Sequence, residues 1–158
     1  MVERPRDESG RPRNARPRDA LGRLLPPGSA GVPRIPDDLE LPPPETLAYA
    51  QELLTKGLAF NAHEVLEAAW KNGPPDERQL WQGLAQLAVG VTHLQRGNLE
   101  GAAALLRRGS GRLRGVGAPA PHSVDVDGLL GWAETLIDDL GAGAEISSSR
   151  LQPTLRRV

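Results

Sequence analysis

The sequence predicts an all-α protein: a compact antiparallel bundle of about five helices behind a disordered N-terminal arm. Three observations predict it. After residue 43, Leu and Ala recur at helical spacing in successive blocks. Those blocks are separated by short Gly, Pro and Asn punctuation, and short connections favour antiparallel neighbours. No run shows the sustained two-residue alternation of a half-buried strand.

The first 35 residues fit none of these blocks. Ten of the fifteen prolines fall before residue 45, and residues 1–35 lack any sustained apolar period. Residues 1–39 are therefore expected to be a disordered Arg- and Pro-rich arm. Within it, "IPDDLELPPPE" is an extended connector that ends at a helix start. The first helix is expected over about 44–57, with Pro44 in its first turn, where a missing N–H costs nothing. Leu47, Ala50, Leu54 and Leu58 form its apolar stripe. The second helix is expected from Asn61, as N-cap, to Lys71, where "NGPP" stops it.

The third helix is expected over about 75–96. Between Arg78 and Arg96 no residue carries a formal charge. A helix without charge on any side is normally surrounded by protein, so this is the expected central helix. Gly97 and Asn98 supply the stop and the next N-cap. A fourth helix is expected over 99 to about 113, with Arg107, Arg108, Arg112 and Arg114 in its last turns, where cations meet the negative end of the helix dipole. The fifth is expected over about 125–140, capped by Gly141 and burying Leu129, Trp132, Ala133, Leu136, Ile137 and Leu140. The compact domain is thus 40–141, and 142–158 is expected to be a flexible tail.

Composition excludes several function classes. The chain has no cysteine, which removes disulfides, thiolate metal sites and cysteine nucleophiles. The N-terminus has charge but no apolar run behind it, unlike a secretory signal. The longest uncharged stretch, "QLWQGLAQLAVGVTHLQ", is too polar and too short for a membrane span. A soluble, cytoplasmic protein is expected. The net charge of −1 hides an asymmetry: +4 over residues 1–34, −7 over 35–77 and +2 over 78–158. The basic arm reads as a solvated tail. It has no aromatic residues for stacking, so there is no specific nucleic-acid signal. "RRGSGRLRG", 107–115, reads as solvated helix-end arginines rather than an anion site. There is no GxGxxG and no P-loop, and Ser147–Ser149 have no His or Asp at triad spacing. His122 falls in a Pro-rich loop and is expected to be exposed.

The chemistry concentrates in "FNAHEVLEAAW", 60–70. His63-Glu64-x-x-Glu67 keeps the spacing of HExxH but changes the second ligand to carboxylate, so a zinc protease is not supported. On a helical wheel at about 100° per residue, His63, Glu67, Trp70 and Phe60 share one face, expected to point inward, with Glu64 at its edge. On the third helix Gln82, Gln86 and His93 form a polar strip opposite the leucines. If the second and third helices pack as an antiparallel pair, that strip meets His63 and Glu67. Three readings stay open. The cluster is a structural network. Or His63, Glu67 and His93 hold a divalent zinc, iron or manganese ion. Or His63, polarised by Glu67, is a general base in a metal-free pocket. At the level of function these give a small-molecule or metal site between helices two and three, or else a helical interaction module with a structural cluster. A homo-oligomer or a protein partner fits the second.

"FNAHEVLEAAWKN", "LWQGLAQLAVGVTHLQRGN" and "GAAALL" together resemble the domain-of-unknown-function family number 309, over about residues 45–115. Phe60, His63, Glu64, Glu67, Trp70, Gln82, Gly83, His93, Gly97 and Asn98 match its pattern. The resemblance implies a compact all-α fold and no assigned activity. In part, "GVTHLQRGNLEGAAALL" also resembles one helix–turn–helix of a tetratricopeptide repeat. No second copy appears at a 34-residue offset, and a solenoid needs at least three repeats.

Overall fold

A computed structural model describes residues 18–23, 31 and 35–157. Its elements are helices α1 (Pro43–Thr55), α2 (Ala59–Asn72), α3 (Arg78–Gln95), α4 (Leu99–Arg114) and α5 (Val126–Gly141). Short 3-10 turns lie at Pro75–Glu77, Pro121–Ser123 and Ser148–Leu151. Among the described residues there is no strand; an isolated antiparallel bridge joins Val124 and Arg156. Each helix packs on the next in the chain.

The turns are as short as the expected glycine stops allow. At the end of α1 the Leu58 N–H bonds the Leu53 carbonyl and the Gly57 N–H bonds that of Leu54. Gly57 sits at φ +78, the left-handed geometry this double closure requires. Gly97 closes α3 in the same way, through Asn98 to His93 and Gly97 to Leu94. Two expected caps move. Asn61 is not the N-cap of α2: Leu58 is, and Asn61 lies buried in the first turn, because the Gly57 closure leaves the chain already aimed into the next helix. The glycine beyond α5 is Gly143, at φ +72, and Gly141 is helical. Asn98 and Asp125 cap α4 and α5 by accepting the N–H of Gly101 and Gly128.

The uncharged α3 is the centre, with ten of its eighteen residues buried. Its N-terminal end faces the C-terminal end of α4 and the reverse: Gly83 lies against Arg112 and Leu113, and Gly90 against Leu106 and the Ala102 carbonyl. The pair is therefore antiparallel. Glycines let the two backbones approach. A Cβ on Gly109 would stand 2.9 Å from the Gly83 carbonyl oxygen. On the other side of α3, Gln95 donates to the Gly57 carbonyl at 2.9 Å, which ties the end of α3 to the α1–α2 turn. The core is filled by Leu47, Leu54, Leu66, Leu80, Leu84, Leu106, Leu113, Leu129 and Leu136, all fully buried.

Both terminal segments make contacts with the bundle. In the segment expected as a flexible tail, 142–158, these contacts lie at residues 150–155. Pro153 and Leu155 are buried. Gln51 of α1 donates to the Pro153 carbonyl (3.0 Å) and accepts from the Leu155 N–H (2.9 Å). Trp132 donates to the Arg150 carbonyl at 2.8 Å, and Arg150 pairs with Asp139 at 2.7 Å. The segment is polar in sequence, so its anchoring comes from backbone groups and two well-placed side chains rather than from an apolar stripe. At the other end, the expected disorder of the arm falls on residues 1–17, 24–30 and 32–34, outside those described. Residues 18–23, by contrast, pack on α2 and the end of α3, and Ile35 joins the core.

The packing of α4 and of the tail can be tested separately. Gly109→Ala places a methyl against the Gly83 backbone and should destabilise by roughly 1–3 kcal/mol. Gly111→Ala, two residues on and with nothing within 4 Å, should stabilise by about 0.5–1 kcal/mol through helix propensity. Urea melts of the two variants should move in opposite directions. Gln51→Ala removes both tail hydrogen bonds and should cost roughly 1–2 kcal/mol, with amide exchange of Leu155 rising before that of α3.

Candidate functional site

The α2 face that carries His63 is not the inward one. The buried residues of α2 are Ala59, Asn61, Ala62, Val65, Leu66 and Ala68. Small residues at 59 and 62 let α2 settle on its neighbours along that arc. The bulky Phe60, His63, Glu67 and Trp70 are left half-buried at its rim.

Along this rim the side chains form a relay one helical turn apart. His63 Nδ1 lies 3.2 Å from the Phe60 carbonyl oxygen and Nε2 lies 3.0 Å from Glu67 Oε2. Glu67 Oε1 in turn meets Lys71 Nζ at 3.2 Å. The Phe60 ring sits 5.3 Å from the imidazole, tilted by 53°. The hydrogen bond from His63 is the main cause that holds the Glu67 carboxyl down at about 2. Burial opposes it, and the charges of His63 and Lys71 add to it. Glu67 is therefore a carboxylate at any physiological pH. Both ring nitrogens of His63 face oxygen acceptors.

The α3 strip does not join this relay. Gln86 accepts from Arg112 of α4 through Nε at 3.1 Å, and the same guanidinium reaches Gln79 at 2.8 Å. Thus Arg112, expected as a solvated helix-end charge, spans two turns of α3. His93 Nδ1 accepts from Asn98 Nδ2 at 3.2 Å, within the α3–α4 turn. Burial first, and then the Arg96 charge, push the His93 imidazole below its usual range, which suits a neutral acceptor. Gln82 is half-buried on the same helix. Among the described residues no group of three or more His, Cys, Asp or Glu side chains is placed to hold a metal. His63, Glu67 and His93 are thus not brought together as a three-ligand set. The hollow beside the relay is about 100 Å³ and is lined by Asp37, Phe60, His63, Glu64, Glu67, Ala68 and Lys71.

Residues 47–105 match the model of a family described as a domain of unknown function, DUF309. It is the family that the three sequence blocks resemble, over a slightly narrower stretch than 45–115. Over 48 residues the chain is 46% identical to "Uncharacterized protein YpuF" of Bacillus subtilis (strain 168). That match covers 30% of this chain and 28% of the relative, so the chain spans under a third of that relative's length. No solved structure matches the chain.

A second imidazole–carboxylate pair lies outside the DUF309 stretch in part, and sequence reasoning missed it. His122, expected to be exposed, is half-buried, with Nε2 2.8 Å from Glu77 Oε1. The Trp81 indole N–H donates to the same oxygen at 3.0 Å, and its ring stacks near the imidazole at 5.9 Å. Burial raises the Glu77 carboxyl, but the hydrogen bonds from His122 and Trp81 outweigh it and leave the group below its ordinary value. His122 and Ser123 both take positive φ, 60° and 62°. The loop is held there by the Arg157 N–H on the Ser123 carbonyl and by the Asp125 N–H on that of Leu155. The Glu77–Trp81 spacing was visible in sequence. The His122 partnership, 45 residues away, was not.

The relay sets a pH dependence. Glu67 is depressed in the folded state, so its contribution is present above its unfolded value of 4.5 and is lost as pH falls toward about 2. The stability gap between wild type and Glu67→Gln, read by urea melts, should be open at pH 5–6 and should close between about pH 4.5 and 2. Since about a third of the Glu67 side chain is exposed, solvent screening keeps the gap small.

Proposed function

We propose that the protein is a helical interaction module in which the His, Glu and Gln residues organise helix packing, and in which the rim of α2 meets a protein partner. One observation carries this reading: the polar residues of the cluster divide among separate places. His63 and Glu67 pair within α2, Gln86 with α4, and His93 with the α3–α4 turn. A catalytic or metal site needs them to converge. The hollow beside His63, at about 100 Å³, is also well short of the roughly 300–1,000 Å³ of ordinary ligand pockets. We assign the module to the cytoplasm. No helix among the described residues is long and apolar enough to cross a membrane.

The test is a photo-crosslinking amino acid placed in cells at Lys71, on the α2 rim, and at Glu134, on α5, as control. The module reading expects one discrete crosslinked product from Lys71 and none from Glu134. It also expects the purified chain to hold no stoichiometric transition metal, with His63→Ala less stable by roughly 0.5–1.5 kcal/mol. A stoichiometric metal removed by both His63→Ala and His93→Ala would overturn it.

A further inference from the structure

The rim of α2 is partly covered by the chain itself, and the manner of covering describes what the rim binds. Residues 18–23, "RDALGR", form a closed turn. Asp19 accepts the N–H groups of Leu21 and Arg23 at 2.9 Å, and the Gly22 N–H bonds the Asp19 carbonyl. The contacts that seat this turn on the bundle read different features. The Arg18 guanidinium lies over the Phe60 ring, 4.8 Å from its centroid, in cation–π geometry. Arg96, at the end of α3, donates through Nε to the Leu21 carbonyl at 2.8 Å. Gly22, at φ +77, is buried so closely against Phe60 and the Arg96 guanidinium that a Cβ there would overlap both. Arg18 also donates to the Gly22 carbonyl at 2.6 Å, which fixes the arginine over the ring.

We propose that Phe60 and Arg96 form a docking shelf for an Arg-x-x-x-Gly turn, that residues 18–23 occupy it in cis as an exchangeable latch, and that the partner presents the same turn in trans. This deepens the interaction reading and rests on it. The recognition chemistry has three parts: a π face for the guanidinium, a guanidinium for a backbone carbonyl, and a gap that admits only glycine. On the Phe60 side, charge supports the cis seating. The shelf's Phe60 belongs to a segment of net charge −7 (35–77), and the latch to an arm of net charge +4 (1–34). Arg23 and Ile35 are separated by eleven residues. The cis copy lies on the same chain as the shelf, so a trans segment competes only when the latch is weakened or the partner is locally abundant.

The experiment uses the full chain and a fluorescent peptide of residues 14–25, followed by anisotropy. The wild type should bind it weakly. Gly22→Ala, which cannot seat its own latch, should bind it on the order of tenfold tighter or more. Adding Phe60→Leu, which keeps apolar volume but removes the π face, should abolish that gain, and adding Arg96→Gln should reduce it. Circular dichroism on each variant verifies the fold. Equal binding by wild type and Gly22→Ala, or a gain that survives Phe60→Leu, would overturn the latch. If that happens while Lys71 crosslinks persist, the latch alone falls; if the crosslinks are absent too, the interaction reading falls with it.

Discussion

The rest of the structure depends on covering α3. From Gln79 to Gln95 it offers no charged side chain to water, so protein must lie on most of its circumference. α2 takes one side and α4 the other, and the α4 side is the tighter because Gly83, Gly90 and Gly109 remove the side chains that would hold two backbones apart. Close approach has a cost in polar satisfaction. Arg112 resolves it by lying along the seam and giving hydrogen bonds to both Gln79 and Gln86. A residue that composition marks as a solvated charge thereby becomes the polar clasp of the principal helix pair.

That arrangement explains which parts of the candidate site were legible in the sequence. The His63–Glu67 pair was legible because i and i+4 on one helix are neighbours whatever else the chain does. The inward direction of α2 was not. A wheel weighs large aromatics heavily, whereas the helix is pulled in along its small residues, Ala59 and Ala62, the second of them directly before His63. The fate of the α3 strip was not legible either. A wheel gives the angle of Gln86 and His93 but not which of two flanking helices fills that angle, and the glycines gave it to α4. The five helices themselves were legible because their stops are local, in Gly57, Gly97 and the "NGPP" break. The anchored C-terminal segment was hidden because its contacts are backbone groups read by Gln51, which stands 102 residues before Pro153.

Two imidazole–carboxylate pairs in one small chain invite comparison. His63–Glu67 is built within a helix and sits at its rim. His122–Glu77 is built by tertiary closure, with a Trp81 indole on the same carboxylate oxygen and two successive left-handed residues in the loop. Among the described residues, neither pair gathers a third converging ligand. They do different mechanical work: the first braces α2 along its own rim, beside the 18–23 turn, and the second pins the loop after α4 to the start of α3.

The boundaries of the family match sharpen this division of labour. Residues 47–105 contain most of α1, all of α2 and α3, and only the start of α4. The buried Leu113, Val124, Leu129, Ala133, Leu136 and Leu155 all lie beyond it, so the matched stretch cannot close its own core and must be covered by the rest of α4, by α5 and by the C-terminal segment. At the other edge the asymmetry runs the opposite way. Phe60, His63, Glu67 and Arg96, which make the shelf and its relay, fall inside the match, while the turn that covers the shelf, 18–23, falls outside. The matched stretch thus contains the residues of the shelf and leaves out the turn that covers them. A protein that kept the first and changed the second would present the same aromatic and guanidinium surface to a different occupant.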